Sequence, residues 1–290
     1  MTRLILVGLC AATTVAIGAV TLAQQLPGAP AKAFGTSITP AYEGWYDNPD
    51  GTHTFLVGYY NRNVKMAMDI PIGPNNRIEP GGPDLGQPTH FLPGRQTGVF
   101  NVTVPKSFSK DQKLTWTIVA NGEPMSVPLR LHADYNIDPR SGLEIGNNPP
   151  SVRLFDEKAT PIQAPFAFVS KAVAKTASVA TGLVIPLWAD DDAKYSTGTG
   201  APMTTPRPPV SIVWAKYRGA GDVKFENGKI EPLKGGKINE PYTGKMTTTA
   251  KFAAPGDYVL QVTANDYSGV AGGGEACCWT TALVKVTVTP

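Results

Sequence analysis

Glycine and proline interrupt this chain so often that little room remains for long helices. The 290 residues include 30 Gly and 27 Pro, about a fifth of the chain, against roughly 12% for these two residues in an average protein. Proline breaks a helix interior, and glycine costs about 1 kcal/mol there. Apolar residues still make up 42% of the sequence and charged residues only 17%, so disorder is not indicated either. The sequence therefore predicts a folded, β-rich chain with many turns.

Short β-type runs separated by turn residues fill two stretches of the sequence. One such run, Lys113 to Ala120, alternates with period two and ends at the turn pair Asn121-Gly122, as expected of a half-buried strand that enters a hairpin. Runs of this kind, about 10 to 20 residues apart, favour β-sandwiches over β-α-β units. We predict an all-β protein with two β-sandwich domains in tandem, at residues 38–137 and 151–290, joined by a linker at 138–150.

The N-terminal segment, residues 1–23, has the pattern of an export signal. Arg3 is followed by the apolar run Leu4 to Val20, and Thr21-Leu22-Ala23 places small residues before a cut at Gln24. An uncleaved membrane anchor is the alternative, because the run is near the lower limit for spanning a bilayer. Acylation at Cys10 is disfavoured by the large residue before it. We expect cleavage, a flexible lead-in at 24–37, and a mature protein without a membrane span outside the cytoplasm.

The charge balance argues against nucleic acid as a partner. The chain carries 26 Lys and Arg against 23 Asp and Glu, a formal net charge of +3. No run of Lys and Arg follows a candidate strand or helix. Binding to phosphates requires such a basic footprint, so we exclude this class of partner.

Two adjacent cysteines, Cys277 and Cys278, remain after removal of the signal segment. Outside the cytoplasm they are expected to pair, which between neighbours requires a strained vicinal disulfide. Two reduced cysteines on opposite faces of a strand, or one that pairs with another chain, are the alternatives. No C-x-x-C spacing and no neighbouring histidine is present, which argues against a zinc site.

Three features follow one another in the C-terminal half: Trp214 in a β-type run, the segment Pro255-Gly256-Asp257-Tyr258 and the later Asp266. By these features this half resembles PKD-like and cadherin-like extracellular immunoglobulin-type domains over about 140 residues. We therefore expect two immunoglobulin-like β-sandwich domains in tandem. The resemblance implies that Trp214 packs in the core, that the Pro-Gly-x-Tyr turn opens the penultimate strand, and that Asp266 follows that strand. Long insertions at 194–209 and 228–244 depart from the pattern of the family.

The N-terminal half contains the segments Gly44-Trp45-Tyr46, Gly58-Tyr59-Tyr60 and Gln87-Pro88-Thr89-His90. By these segments it resembles a group of exported bacterial proteins without an established activity. The resemblance implies a secreted, periplasmic or cell-surface location in a bacterium.

The histidines offer little for catalysis. His53, His90 and His132 are scattered over the N-terminal half, and no Gly-x-Ser-x-Gly elbow, His-Glu-x-x-His pair or nucleotide-binding loop is present. His90 is the best candidate, because Gln87 and Arg95 flank it among proline-fixed turns. A polar ligand site at His90 and Arg95 is one interpretation, and ordinary structural histidines are the other.

Three consecutive carboxylates form the most charge-dense point of the chain, at Asp190, Asp191 and Asp192. Calcium takes six to eight oxygen ligands from loops of this kind. Asp266 and the carbonyl of Asn265 are expected near the same end of a sandwich. A calcium site is therefore one hypothesis, and a solvated acidic turn is the alternative.

Aromatic residues cluster in the N-terminal half and suggest a recognition surface. Exposed rings anchor sugars or protein partners, and Trp45, Tyr46 and Tyr60 are the candidates. Adjacent residues of a strand face opposite ways, so we expect Tyr59 to be buried together with Trp116.

Together these patterns favour an exported, non-enzymatic binding or structural protein of the bacterial cell envelope or surface, which recognises proteins or glycans. The alternative is a hydrolase, or an accessory subunit of an extracellular hydrolase, with a site around His90. A purely structural spacer is a third interpretation. Calcium is the one cofactor suggested.

Overall fold

The computed structural model describes residues 30–138, 147–165, 167–194, 208–226, 228–237, 239–266 and 278–290. The predicted signal segment, most of the predicted linker and Cys277 lie outside these ranges. In chain order the strands of the first half are β1 (Ile38–Asp47), β2 (His53–Asn61), β3 (Met68–Asp69), β4 (Asn76–Glu79), β5 (His90–Phe91), β6 (Gly94–Val104), β7 (Leu114–Ala120) and β8 (Glu123–Leu129).

The second half of the chain continues as β9 (Ser151–Leu154), β10 (Ile162–Gln163), β11 (Val173–Ser178), β12 (Leu183–Asp191), β13 (Ser211–Arg218), β14 (Val223–Glu226), β15 (Glu231–Lys234), β16 (Tyr242–Phe252), β17 (Gly256–Asn265) and β18 (Trp279–Thr289). Two single 3₁₀ turns span Ala133–Tyr135 and Val169–Lys171. The prediction of an all-β protein is confirmed. Within the described ranges no helix is long and apolar enough to cross a membrane.

Period-two alternation explains the regular strands. In β16 every second residue from Tyr242 to Phe252 is buried, and the residues between them are exposed or half-buried. Successive side chains of a strand point to opposite faces. One face of β16 therefore lies on a core, and the Thr and Lys residues of the other face lie near solvent.

The first half of the chain packs two antiparallel sheets against each other. Sheet I has the order β1–β2–β6, sheet II has the order β4–β7–β8, and β3 pairs with β5 beside them. Trp116 of sheet II meets Phe100 of sheet I edge to face, with 4.9 Å between ring centroids. Tyr59 and Trp116 are both buried, which confirms their predicted core positions.

The second half packs a second pair of sheets. Sheet III has the order β11–β18–β17–β13, in which β11 pairs with β18 in parallel. Sheet IV has the order β10–β9–β12–β16–β14, and β15 is also paired with β16. Tyr258 lies in the core between these sheets, and its hydroxyl donates to the carbonyl of Ala254 at 2.7 Å. Trp214 is half-buried against the same core and stacks on Phe225.

Sheet III is buried on both faces. Leu283 and Val259 belong to the core of the first half, whereas the adjacent Val284 and Leu260 belong to the core of the second half. Since neighbouring strand residues point to opposite faces, sheet III forms a wall between the two cores. The two halves of the chain therefore pack against each other.

One glycine permits this close packing. Gly98 in β6 has a φ of +55°, and a Cβ atom placed there would lie 2.4 Å from Cζ2 of the Trp279 ring. A side chain would meet both a backbone penalty and a clash at this position. Gly98 thus allows sheet I to approach the start of β18.

Candidate functional site

The predicted aromatic residues do not form one exposed platform. The Trp45 indole is half-buried and donates to the carbonyl of His132 at 2.7 Å. Tyr46 is 4% exposed. Tyr60 is half-buried beneath the guanidinium of Arg62, 5.0 Å from the ring centroid. Trp45 lies near the end of β1, whereas Tyr60 pairs with the start of that strand.

His90 lies between the two halves of the chain. Its Nδ1 is 2.8 Å from Oδ1 of Asp69, and the same carboxylate is 3.1 Å from Nζ of Lys216. Lys216 belongs to β13, and its side chain is only 6% exposed. A buried ammonium requires such a partner. The His90–Asp69–Lys216 group therefore ties the second half of the chain to the first.

Arg95, which flanks His90 in the sequence, and the nearby Asp84 have partners other than His90. Arg95 pairs with Glu43 at 2.6 Å. Asp84 accepts two hydrogen bonds from Arg218, at 3.0 and 2.8 Å, and these hold the pKa of the Asp84 carboxyl below its usual value. No hydrogen bond or ion pair joins any two of His90, Arg95 and Asp84 within the described ranges. The partners of His90 there include no hydroxyl or thiol that could act as a nucleophile.

The acidic residues at the end of β12 separate by strand alternation. Asp190 faces away from the sandwich core, where its carboxylate pairs with Arg153 at 2.5 Å and accepts from Thr243 at 2.9 Å. Asp191 points the other way and is 8% exposed. Asp192 follows the strand and accepts from Asn148 at 2.9 Å. Asp190 therefore has a half-buried ion pair on the outer face of the sheet, whereas Asp191 lies inside.

Asp191 and Asp266 form a buried acidic pair at this end of the second sandwich. Asp191 Oδ2 accepts from the N–H of Ala193 at 2.7 Å, whereas its buried Oδ1 has no hydrogen-bond partner among the described residues. Asp266 is 5% exposed and accepts from Asn147 at 2.6 Å. Burial, helped by the charges of Asp266 and Asp192, raises the pKa of Asp191 from 3.8 to about 7.

The fit of this end to a cation is partial. In the described part of the chain, no three or more His, Cys, Asp or Glu side chains group closely enough to hold a metal ion. Asn265, which precedes Asp266, has a buried Oδ1 that accepts no hydrogen bond there. A calcium ion would therefore combine Asp191 and Asp266 with amide, main-chain and water oxygens, all of which are hard ligands that suit Ca²⁺.

Cys278 lies close to the acidic pair. It is 2% exposed and disulfide-bonded, and its sulfur is 3.6 Å from the carbonyl oxygen of Asn147. Its neighbour Cys277 is outside the described residues, so the vicinal pairing stays a prediction.

An open cleft of about 700 Å³ lies where the two halves of the chain meet. Four separate segments line it: the end of β1 with the following turn, the connection between β4 and β5, the edge strand β6, and the 3₁₀ turn that precedes β11. Its lining is formed by Tyr46, Asn48, Pro49, Asp50, Thr52, Leu85, Asn101, Val102, Thr103, Phe168, Ser170 and Lys171. This volume lies in the usual range for small-ligand sites, which often occur between packed units.

The polar residues of this junction cleft are fixed before any ligand enters. Asn101 accepts from the N–H of Ala167 at 3.0 Å and donates to the Tyr46 hydroxyl at 3.3 Å. Asn48 donates to the hydroxyls of Thr52 and Thr54, at 2.9 and 2.8 Å. Side chains that are already ordered lose little further entropy when a ligand binds. The cleft is therefore preorganised for a polar ligand.

Among the predicted site residues, only Tyr46 lines the junction cleft. The sequence offers no motif for the rest, because the lining residues come from separate stretches between positions 46 and 171 and meet only through folding. The turn Asn48-Pro49-Asp50-Gly51 joins β1 to β2, and its first three residues also form one rim of the cleft.

Compared with known proteins, the chain matches no protein-family model and no curated protein sequence. Its functional assignment therefore depends on the residues and the geometry described above.

Proposed function

We propose that this chain is an exported, non-enzymatic binding protein of the bacterial cell envelope or surface, which recognises a glycan or protein partner. The observation that carries the proposal is the junction cleft, an open space of about 700 Å³ with preorganised amide and hydroxyl groups. The separate partners of His90, Arg95 and Asp84 support binding over hydrolysis. Packed sandwiches provide a rigid scaffold for such a cleft.

Array binding tests this function. The mature protein, residues 24–290, is screened on glycan and peptide arrays together with two exposed-strand variants. Thr103→Trp fills the junction cleft, and Ser126→Trp is its matched control on sheet II. Thr103 and Ser126 are both exposed residues. The Thr103 hydroxyl lies 3.0 Å from that of Thr54, and the Ser126 hydroxyl lies 2.8 Å from that of Thr117.

We expect wild type and Ser126→Trp to share a ligand that Thr103→Trp has lost, and the ligand to be recovered chemically unchanged. Cleavage of the ligand would contradict the non-enzymatic assignment. Equal binding by all three proteins would show that recognition occurs elsewhere.

We propose in addition that the Asp191–Asp266 pair holds calcium in the mature protein. The buried Oδ1 atoms of Asp191 and Asn265 support this assignment, because neither has a hydrogen-bond partner among the described residues and buried acceptors without partners are costly. Calcium at a hundredfold excess over its Kd should stabilise the fold by about 2.7 kcal/mol. The melting temperature should therefore rise with calcium for wild type and for Asp190→Asn, but not for Asp191→Asn. No rise for wild type at millimolar calcium would refute the proposal.

Export rests on the pattern of residues 1–23. Expression of the full chain in a bacterial host, followed by fractionation and N-terminal sequencing, should yield a periplasmic or secreted protein that begins at Gln24. Recovery of the uncut chain in the membrane fraction would favour the anchor instead.

A further inference from the structure

A second cleft adjoins the junction cleft across a shared ridge. This smaller space, of about 390 Å³, is lined by Pro161, Ile162, Gln163, Ala164, Phe168, Lys171, Ala282 and Leu283. Phe168 and Lys171 line both clefts, and the Lys171 ammonium lies 4.9 Å above the Phe168 ring. We call these two adjoining clefts the groove, and each is lined by both polar and apolar residues.

The charges along the groove cancel. Asp50 and Lys171 are its charged lining residues. Hydrogen bonds from Thr52 hold the pKa of the Asp50 carboxyl below its usual value, so Asp50 is ionised at neutral pH. Since one anion opposes one cation, the groove offers no net charge to a phosphate, a uronate or a polycation. A neutral ligand matches it best.

The remaining lining groups suit a polyhydroxylated chain. The exposed hydroxyls of Thr103 and Ser170 can exchange hydrogen bonds with sugar hydroxyls, which both donate and accept. The half-buried Phe168 ring offers an apolar surface for the C–H face of a sugar ring. The smaller cleft continues this surface through Ile162.

We propose that the groove binds a neutral oligosaccharide chain that crosses the Phe168–Lys171 ridge, with at least one sugar on each side. This inference rests on the proposed binding function and commits its cleft to one class of ligand. A chain that spans the ridge uses both clefts, whereas a single sugar fills only one.

Calorimetry with defined sugars tests the inference. The probes are the neutral hexasaccharides of α-1,4-glucose, β-1,4-glucose and β-1,4-N-acetylglucosamine, with glucose, N-acetylglucosamine and a hexagalacturonate for comparison. We expect one neutral hexasaccharide to bind, its monosaccharide to bind at least tenfold more weakly, and the hexagalacturonate to bind more weakly than the neutral chain.

Variants locate the site. Phe168→Ala should weaken binding of the neutral hexasaccharide at least tenfold, and Thr103→Trp should abolish it. Phe34→Ala, at a 66% exposed phenylalanine elsewhere on the surface, is the matched control and should bind like wild type. Unchanged far-UV circular dichroism and melting temperature show that each variant is folded.

The outcomes separate the two proposals. Binding of a sugar that Phe168→Ala and Thr103→Trp leave unchanged overturns the groove assignment but keeps the binding function. Tighter binding of the hexagalacturonate, or binding of peptides and no sugar on the arrays, would likewise overturn the groove assignment and keep the binding function. No ligand on either array contradicts the binding function itself.

Discussion

The buried Asp191 carboxyl should make the protein less stable as pH rises. Its pKa is 3.8 in an unfolded chain and about 7 in the fold, so between these values the folded state binds more protons than the unfolded state. Stability from the protonated carboxyl is full below about pH 4 and is lost as pH rises through about 7. The difference between the two pKa values corresponds to at most about 4 kcal/mol.

Asp191→Asn removes this pH dependence while it preserves shape. The amide oxygen of the new Asn can still accept from the N–H of Ala193, and its NH₂ group can donate towards Asp266. The substitution also removes one of the two neighbouring negative charges. Relative to wild type, the variant should gain little at pH 4.5 and about 2 to 4 kcal/mol at pH 8 without calcium.

Urea unfolding of the mature protein in EDTA, at several pH values from 4.5 to 8, measures this difference. Asp190→Asn is the control, because the Asp190 carboxylate faces away from the core and pairs with Arg153, and this variant should not gain stability as pH rises. If the stability gained by Asp191→Asn is the same at every pH, or grows as pH falls, then burial and like charges do not raise the pKa of Asp191.

Two further substitutions test the contact between the halves of the chain. Gly98→Ala places a Cβ 2.4 Å from the Trp279 ring at a φ of +55°. We therefore expect the free energy of unfolding in urea to fall by about 2 to 4 kcal/mol. An unchanged urea midpoint would show that sheet I can shift away at no cost. Asp69→Asn leaves the buried Lys216 ammonium without its carboxylate. About 1 to 3 kcal/mol should be lost in urea unfolding, a range lowered because the Asp69 side chain is half-exposed. An unchanged urea midpoint would show that this ion pair adds no stability.

The strands and much of each core could be predicted from the sequence, because they follow from local pattern. The alternation in Lys113 to Ala120 places Trp116 inside, and β7 is observed at Leu114–Ala120. The pair Tyr59 and Tyr60 divides between the core and a half-exposed position in the same way. In these cases one buried face per strand is enough to decide the outcome.

The arrangement of the acidic residues was predictable in part. Three successive carboxylates were interpreted as one loop cluster, but β12 extends to Asp191. Period two then sends Asp190 to the surface and Asp191 to the interior. If the alternation of β12 had been extended to Asp191, the sequence would have predicted that Asp190 and Asp191 point to opposite faces.

The contact between the two halves could not be predicted. Leu283 and Val284 are consecutive apolar residues in β18. A strand with only one buried face would alternate apolar and polar residues instead. The run indicates burial on both faces, but it does not identify the second partner. The junction cleft depends on that packing, since Asn101 and Phe168 meet only across it.

The most direct test of the account locates the bound ligand on the protein. Amide chemical shifts of the mature protein are followed by NMR during titration with the strongest neutral hexasaccharide from the calorimetric series. The account predicts that the shifts concentrate on Asn48, Asn101, Phe168 and Lys171 and saturate together. Shifts that concentrate around Asp191, or on the surface of sheet IV, would contradict recognition at the junction of the two halves.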